Sequence, residues 1–365
     1  MHIESTWIAD TFAEAFRLRF TRLIVTAHDA HWLDAAVRAA CGYGTSVIGC
    51  DAEIGVERML AACGREPGEL VAELPPLRAP ATVEKVAINA VMAGCRPDDF
   101  PVVLAAIEAL ADPHFELFGI NTTTNPTAPL TIVNGPIRHQ LDINCSWSVL
   151  GPRKRADATI GRAVSLCMIN LAGRIPEQAC KATWKMSGAF TMCAGEYEEE
   201  SPWEPLHVER GFSRGDSTVT MLAPNGQMNV VDTESQTADE LLRNIGAGLL
   251  NAGGNGVFPF YGLGEIAVMF SPGHARLIAE RFSKQQVREF LVDYLRLPVD
   301  KLSPRRVQMM EAAGHGQIEN GHVRYLQHAW QVLIFVAGGL GGYHSAAFTT
   351  FGDSRAVTRR ILARP

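Results

Sequence analysis

The 365-residue chain has no CxxC pair, no excess of positive charge and no apolar run long enough to cross a bilayer. Each absence excludes something. The eight cysteines (Cys41, Cys50, Cys63, Cys95, Cys145, Cys167, Cys180 and Cys193) are scattered without paired spacing, which argues against a disulfide framework and a zinc-ribbon site. The net charge of −6 gives no electrostatic case for nucleic acid or an anionic membrane. The longest apolar stretch, "AWQVLIFVAGGLGG", is too short and too rich in glycine for a membrane span. The opening "MHIESTWIADTF" lacks a basic segment followed by an apolar one, so no secretory signal is expected and the cytoplasm is the expected location.

What is there reads as a soluble globular protein of two or three units, 47% apolar and 20% charged. "RLIVTA" (22–27) and "GYGTSVIGC" (42–50) read as strands around a helix starting at Asp29, a β-α-β arm over residues 1–57. Its H-x-x-H spacing at His28 and His31 reads as a helix start with a surface histidine rather than a metal site. The proline-rich stretch 64–85 reads as a connection with a short helix at 66–73, placing a linker at 58–81. A large domain, 82–365, follows.

Within it, Thr82 caps a helix "VEKVAINAVMAGC", and "PDDFPVVLAAIEALAD" forms another. Residues 155–173 form a long helix with Ile160, Val164, Cys167, Met168 and Leu171 on one face. Thr237 and Glu240 make a capping box, and Ser283 caps the second of two helices in 272–297. "LTIVNGPI", "AFTMCAGE", "STVTMLAP", "EIAVMFS" and "QVLIFVAGG" read as strands, and no repeat of fixed period shows. The alternation predicts an α/β or α+β domain with one mixed sheet flanked by helices, and ligands at the strand ends.

Three strand-end stretches carry candidate chemistry. "EYEEESPWEPLHVERGF" follows an apolar strand, and Pro202 and Pro205 bracket Trp203, fixing the loop. Its Glu204 and His207, then Glu198 and Glu199, are the expected catalytic residues, since carboxylate and imidazole in one rigid loop suit acid–base work or a divalent metal. The bland alternative is a solvated acidic surface. In "VNGPIR", the N–H groups at Asn134 and Gly135 together with Arg138 are expected to hold a carboxylate or phosphate of a substrate. In "AGGLGGYHS", Gly338 and Gly339 allow close approach to a ligand, while Tyr343, His344 and Ser345 supply polar tips; the spacing fits neither a Walker loop nor a dinucleotide fingerprint. "GHGQIENGH", with His315, Glu319 and His322, reads as a loop with a weak metal option. Cys95 and Cys193 read as inert.

Two family resemblances accompany these readings. "IADTFAEAF", "TRLIVTAHDAHW" and "GYGTSVIGCDAEIGVER" resemble the opening of formylmethanofuran–tetrahydromethanopterin formyltransferase, a likeness that ends near Arg58 and implies a C1-transfer role, with docking into a formyltransferase/hydrolase assembly. Residues 57–365 resemble the UGSC-like family through "VEKVAINAVMAGCRPDDFPVVLAAIEAL", "PLTIVNGPI", "ATIGRAVSLCMINLAG", "EYEEESPWEPLHVERGF" and "AGGLGGYHSAAFTTFG", although the U/C-G-S-C motif itself is absent. The expectation is an enzyme acting on a small polar or anionic substrate, assembled as a homo-oligomer, with no nucleic-acid or membrane partner. A C1-transfer component and a non-catalytic scaffold are the other readings.

Overall fold

The computed structural model describes residues 52–151, 153–251, 264–314 and 318–362. Residues 1–51 of the expected β-α-β arm, with His28 and His31, lie outside the described residues, as does His315. Mixed α/β structure is observed, but around two four-stranded sheets rather than one. Among the described residues, no helix is long and apolar enough to cross a membrane.

The stretch expected to be a connection is ordered. Helix α1 (Ala52–Cys63) buries Met59 and Cys63 in the same cluster as helix α2 (Val83–Ala93), and strands β1 (Leu70–Leu74) and β2 (Ala79–Thr82) form an antiparallel hairpin. The expected short helix at 66–73 gives way to β1, because Ala72 and Leu74 alternate inward onto helix α3 (Phe100–Leu110). Helix α3 is buried nearly all round, which matches its run of apolar residues without a polar face. Thr82 does cap α2, accepting from the Lys85 N–H at 3.4 Å.

After the short helix α4 (Leu117–Thr122), strand β3 (Leu130–Asn134) leads through α5 (Ile137–Gln140) and α6 (Arg155–Asn170) to β4 (Cys193–Gly195), which lies parallel to β3. Past α7 (Leu206–Glu209), β5 (Thr218–Leu222) returns antiparallel on the other side of β3. Strand β6 (Pro224–Val231) then leaves this sheet. The second half repeats the plan. Helix α8 (Ala238–Asn251) precedes β7 (Ile266–Phe270), and α9 (Pro272–Ala279) and α10 (Lys284–Tyr294) follow it. A small sheet of β8 (Arg296–Pro298), β9 (Ile318–Glu319) and β10 (His322–Arg324) is interrupted by α11 (Pro304–Ala313). Strand β11 (Val332–Val336) then runs parallel to β7, and β12 (His344–Thr350) returns antiparallel beside β7.

The last strands cross over: β6 completes the second sheet against β12, and β13 (Val357–Arg360) completes the first against β5. The halves are therefore two copies of one topology that exchange an edge strand. The corresponding backbone bonds are Glu196 N–H to Val133 O and Ala337 N–H to Phe270 O. Sequence periodicity shows none of this, because the insertions in each half differ in length.

The two sheets pack face to face between helical layers. Leu130, Ile132, Leu222, Met269, Phe335 and Phe348 meet between them. Val133, Val219 and Met221 face α2, α3 and α6, while Val268, Ile334 and Val336 face α8, α9 and α10. Strands buried on both faces need apolar residues at every position, so "LTIV", "IAVMF" and "VLIFV" are continuous runs rather than alternating ones. The Thr237/Glu240 capping box and the Ser283 cap are formed as expected, and Gln286 completes the latter into a capping box.

Candidate functional site

The C-terminal ends of the parallel pairs β3/β4 and β7/β11 meet. Tyr197, just past β4, donates its N–H to the Val336 carbonyl at the end of β11 at 2.7 Å. The segment after α5 stitches both ends: Gly195 N–H donates to Asn144 O at 3.0 Å and Gly338 N–H to Cys145 O at 2.8 Å. The acidic bend and the late glycine loop thus leave the sandwich on one side, where ligands of open α/β sheets usually sit.

The glutamate run divides by burial. Glu196, first past the strand, is fully buried; its Oε2 accepts from Asn134 Nδ2 at 2.6 Å and from the Leu206 N–H at 2.7 Å. Burial pushes its carboxyl above the ordinary range, opposed by Lys284 and by those two donors. Glu198 Oε1 accepts from Gly135 N–H at 2.7 Å and Asn134 Nδ2 at 3.0 Å, and lies 3.1 Å from Arg138 Nε. Glu199 receives a two-pronged contact from Arg138, at 2.9 and 3.2 Å, and one from His139 at 2.8 Å. Although partial burial works the other way, these donors hold Glu199 down at about 2. Glu200 pairs with Arg276 of α9.

Arg138 is 3% exposed, and its remaining donors reach the carbonyls of Gly135 and Glu196. Asn134, Gly135 and Arg138 thus bind carboxylates as their residue types predict, but the carboxylates belong to the chain itself. Arg138 positions the acidic bend, and its guanidinium is already occupied.

His207 lies in α7, fully buried, with Nδ1 3.9 Å from Glu198 Oε1. Both its ring nitrogens, Glu196 Oε1 and Asn134 Oδ1 are buried without a hydrogen-bond partner. Such groups cost stability unless a function or a ligand requires them. Glu204 is exposed and enters the network through its backbone carbonyl, which accepts from Lys284 Nζ at 3.0 Å. The structure therefore brings Glu198, Glu199, His207, Asn134, Gly135 and Arg138 together, with Glu204 at the rim. Glu196 and Lys284 join this constellation although their residue types alone did not mark them as special. The signal for Glu196 was its place as the first residue past an apolar strand.

The late loop forms a second group. Gly338 adopts a positive φ of 114°, and a Cβ on Gly339 would meet the Trp147 ring at 2.2 Å, so glycine there admits the indole rather than a ligand. His344 begins β12 and contacts Asn229 Oδ1 at 3.0 Å, while Tyr343 is exposed and accepts from the Asp232 N–H through its carbonyl. Ser345 is buried with its Oγ 2.8 Å from His274 Nδ1, and His274 Nε2 lies 3.2 Å from the Asp232 carbonyl. Burial lowers the pKa of His274, consistent with a neutral ring donating from Nε2. No hydrogen bond or ion pair among the described residues joins Tyr343, His344 or Ser345 to the glutamates of the acidic bend. Among the described residues, no three His, Cys, Asp or Glu side chains gather as metal ligands. Glu319 pairs with Arg324, and His322 contacts the Asn320 carbonyl. Cys95 is pushed up to about 12 by burial, and Cys193 well above its ordinary value.

Two predictions arise from the scaffold. Gly135 has φ 83°, and a Cβ there would meet the Asp216 carbonyl oxygen at 2.1 Å. Gly135→Ala is expected to lose about 3 kcal/mol or more of stability, from left-handed strain and a backbone clash combined. Urea denaturation measures it, and a loss below about 1 kcal/mol contradicts the geometry.

Asp157, in the first turn of α6, accepts from the Asn144 N–H at 2.9 Å while its Oδ2 is buried without a partner. Burial raises its carboxyl to about 7. A raised carboxylate pKa means the folded state holds the proton more tightly. Its contribution is complete below the ordinary value of 3.8 and is lost as pH rises through about 7. Asp157→Asn keeps the acceptor and removes the titration, so its stability relative to wild type should improve steadily over that window. Parallel pH profiles for the two proteins contradict the assignment.

Comparison with known proteins bears on the first part of the chain. The model of the formylmethanofuran–tetrahydromethanopterin formyltransferase family matches residues 1–66, of which 52–66 are described and form α1 and the turn after it. The formyltransferase of Rhodopirellula baltica is 61% identical over 54 residues, covering 15% of this chain and 16% of that protein. That of Methylobacillus flagellatus is 52% identical over 60 residues, 16% and 20% of the two chains, and that of Methanopyrus kandleri 45% over 69 residues, 19% and 22%. The chain spans about one-fifth of the length of the curated relatives it matches, and the likeness stops before the sandwich begins.

Proposed function

We propose that the chain is an enzyme of the UGSC-like kind, acting on a small polar or anionic substrate by proton transfer at the joined strand ends. Glu196 is the buried acid, His207 and Glu198 are its partners, and Asn134 links the two carboxylates. The observation that carries this reading is the orphaned set at one place: Glu196 Oε1, Asn134 Oδ1 and both nitrogens of His207, all buried without a partner. A carboxyl raised by burial beside one held at about 2 by Arg138 is the separation of environments that acid–base chemistry uses. A homo-oligomer and a small-molecule partner belong to the same proposal, and no metal is invoked.

Ligand-observed NMR tests it directly. A panel of small carboxylates, hydroxy acids, amides and phosphates is screened against wild type, Glu196→Gln and His207→Ala. The reading expects at least one compound to bind wild type and to lose binding or turnover in both variants while their folds persist. Hits that treat all three proteins alike contradict it.

The second reading, a C1-transfer component, rests on the family match over residues 1–66. It expects co-purification with formyltransferase/hydrolase subunits and loss of that association on deleting residues 1–51. The deletion stops there because α1 contributes Met59 and Cys63 to the core. Unchanged partners after the deletion contradict this reading.

A further inference from the structure

A cavity of about 400 Å³ lies at the opposite end of the sandwich, where β7, β11 and β13 begin. Arg210, Arg355 and Arg359 line it, with Glu265, Asp112 and Trp330. Its charges are not balanced. Asp112 is already engaged: it accepts from the His114 N–H at 2.9 Å and from Arg359 Nη2 at 2.5 Å. Glu265 is buried and accepts from the Ala356 N–H at 2.6 Å; burial raises its carboxyl to about 7, against the pull of Arg210 and Arg355, so one carboxylate faces both arginines. Among the described residues, neither Arg210 nor Arg355 lies within ion-pair distance of a carboxylate; Glu209, next to Arg210 in sequence, is taken by Lys284 and Arg288.

Neither guanidinium group forms a direct ion pair, yet both are held in place. Arg355 lies 4.6 Å over the Trp330 ring, whose plane stacks in turn near His328 at 5.8 Å. Stacking fixes the guanidinium plane and leaves its edge N–H groups to bind. Arg210 is anchored through one Nη to the Ala356 carbonyl, and burial lowers its pKa, a cost that a bound anion relieves. Two oriented guanidinium groups that share a single nearby carboxylate, Glu265, and face one hollow of small-molecule size leave positive charge unmatched, which an oxyanion fits in charge and geometry.

We propose that this cavity binds a small metabolite through a carboxylate or phosphate group held by Arg210 and Arg355. The site is separate from the glutamate network but joined to it. Arg210 follows α7, donating its N–H to the Leu206 carbonyl, and the Leu206 N–H holds Glu196. A ligand drawing on Arg210 therefore bears on the helix that carries His207. The binding itself does not depend on the proposed reaction.

Titration calorimetry of the full chain with malonate, orthophosphate and sulfate, at ionic strength held constant with chloride, tests it. One saturable site per chain is expected, weakened about 10- to 100-fold in Arg355→Gln and again in Arg210→Gln. Arg360→Gln, whose native arginine pairs with Asp216 outside the cavity, should leave affinity unchanged. Tighter malonate points to a carboxylate ligand, and tighter orthophosphate or sulfate to a phosphate ligand. Absence of saturable binding by all three anions, or equal affinity in wild type and both cavity variants, overturns the proposal.

Discussion

Replacing Arg138 with alanine is expected to remove about 3–5 kcal/mol of stability, the cost of breaking a buried ion pair from one side. The side chain is 3% exposed and serves Glu198, Glu199 and the carbonyls of Gly135 and Glu196 at once. Without it, Glu198 and Glu199 lose the cation they share, and Glu199 keeps only the His139 contact. Arg138→Lys should recover only part of the loss, because an ammonium restores charge but not the fork. The deficit should also depend on pH. Glu199 is held at about 2, so its contribution is present above the ordinary value of 4.5 and is lost as pH falls towards about 2. Alanine at 138 removes that contribution, and the gap between variant and wild type should narrow across this acid range. Urea denaturation at several pH values reads both effects. A neutral-pH loss below about 1 kcal/mol would place the bend among solvated surface ion pairs.

Glu196→Gln has the largest expected effect on chemistry. Glu196 Oε2 accepts both hydrogen bonds, from Asn134 and Leu206, and a glutamine carbonyl can take over both. Its amide then occupies the place of the unpartnered Oε1. The fold should persist, with a melting midpoint within a few degrees of wild type. Turnover of the substrate should fall by about 10²- to 10⁴-fold, the range for loss of a positioned acid or base. The loss should appear in kcat more than in KM, since the role proposed for the residue is proton transfer rather than bulk contact. Wild-type turnover in a folded Glu196→Gln protein would remove Glu196 from the mechanism.

The parts of this account that were legible in the sequence are local. Continuous apolar runs announced the central strands, and the caps at Thr82, Thr237 and Ser283 fixed helix starts. The exchanged edge strands β6 and β13 were not legible. "PNGQMNVV" in β6 is half polar because one side of an edge strand meets solvent, and β13 carries two arginines for the same reason. β12 begins one residue after Gly342 and is mostly small residues, so its start read as part of a loop. The face-to-face packing of two sheets and the exchange of β6 and β13 are long-range properties with no local signature. In the acidic run, residue types identified carboxylate chemistry and Arg138 as its complement. They did not separate Glu196, which the strand end turns inward, from Glu204, which stays exposed. Nor did they show that Asn134, Gly135 and Arg138 would meet the chain's own glutamates some sixty residues later.

The central claim is that Glu196 holds a labile proton inside the joined strand ends. Carbon-13 NMR of side-chain carboxyl signals, followed through a pH titration with Glu196 assigned by its loss in Glu196→Gln, measures it most directly. The account predicts that the Glu196 signal moves at a pH clearly above the step shared by exposed glutamates, while the Glu199 signal moves below that step. A Glu196 signal that titrates together with the surface glutamates would contradict it.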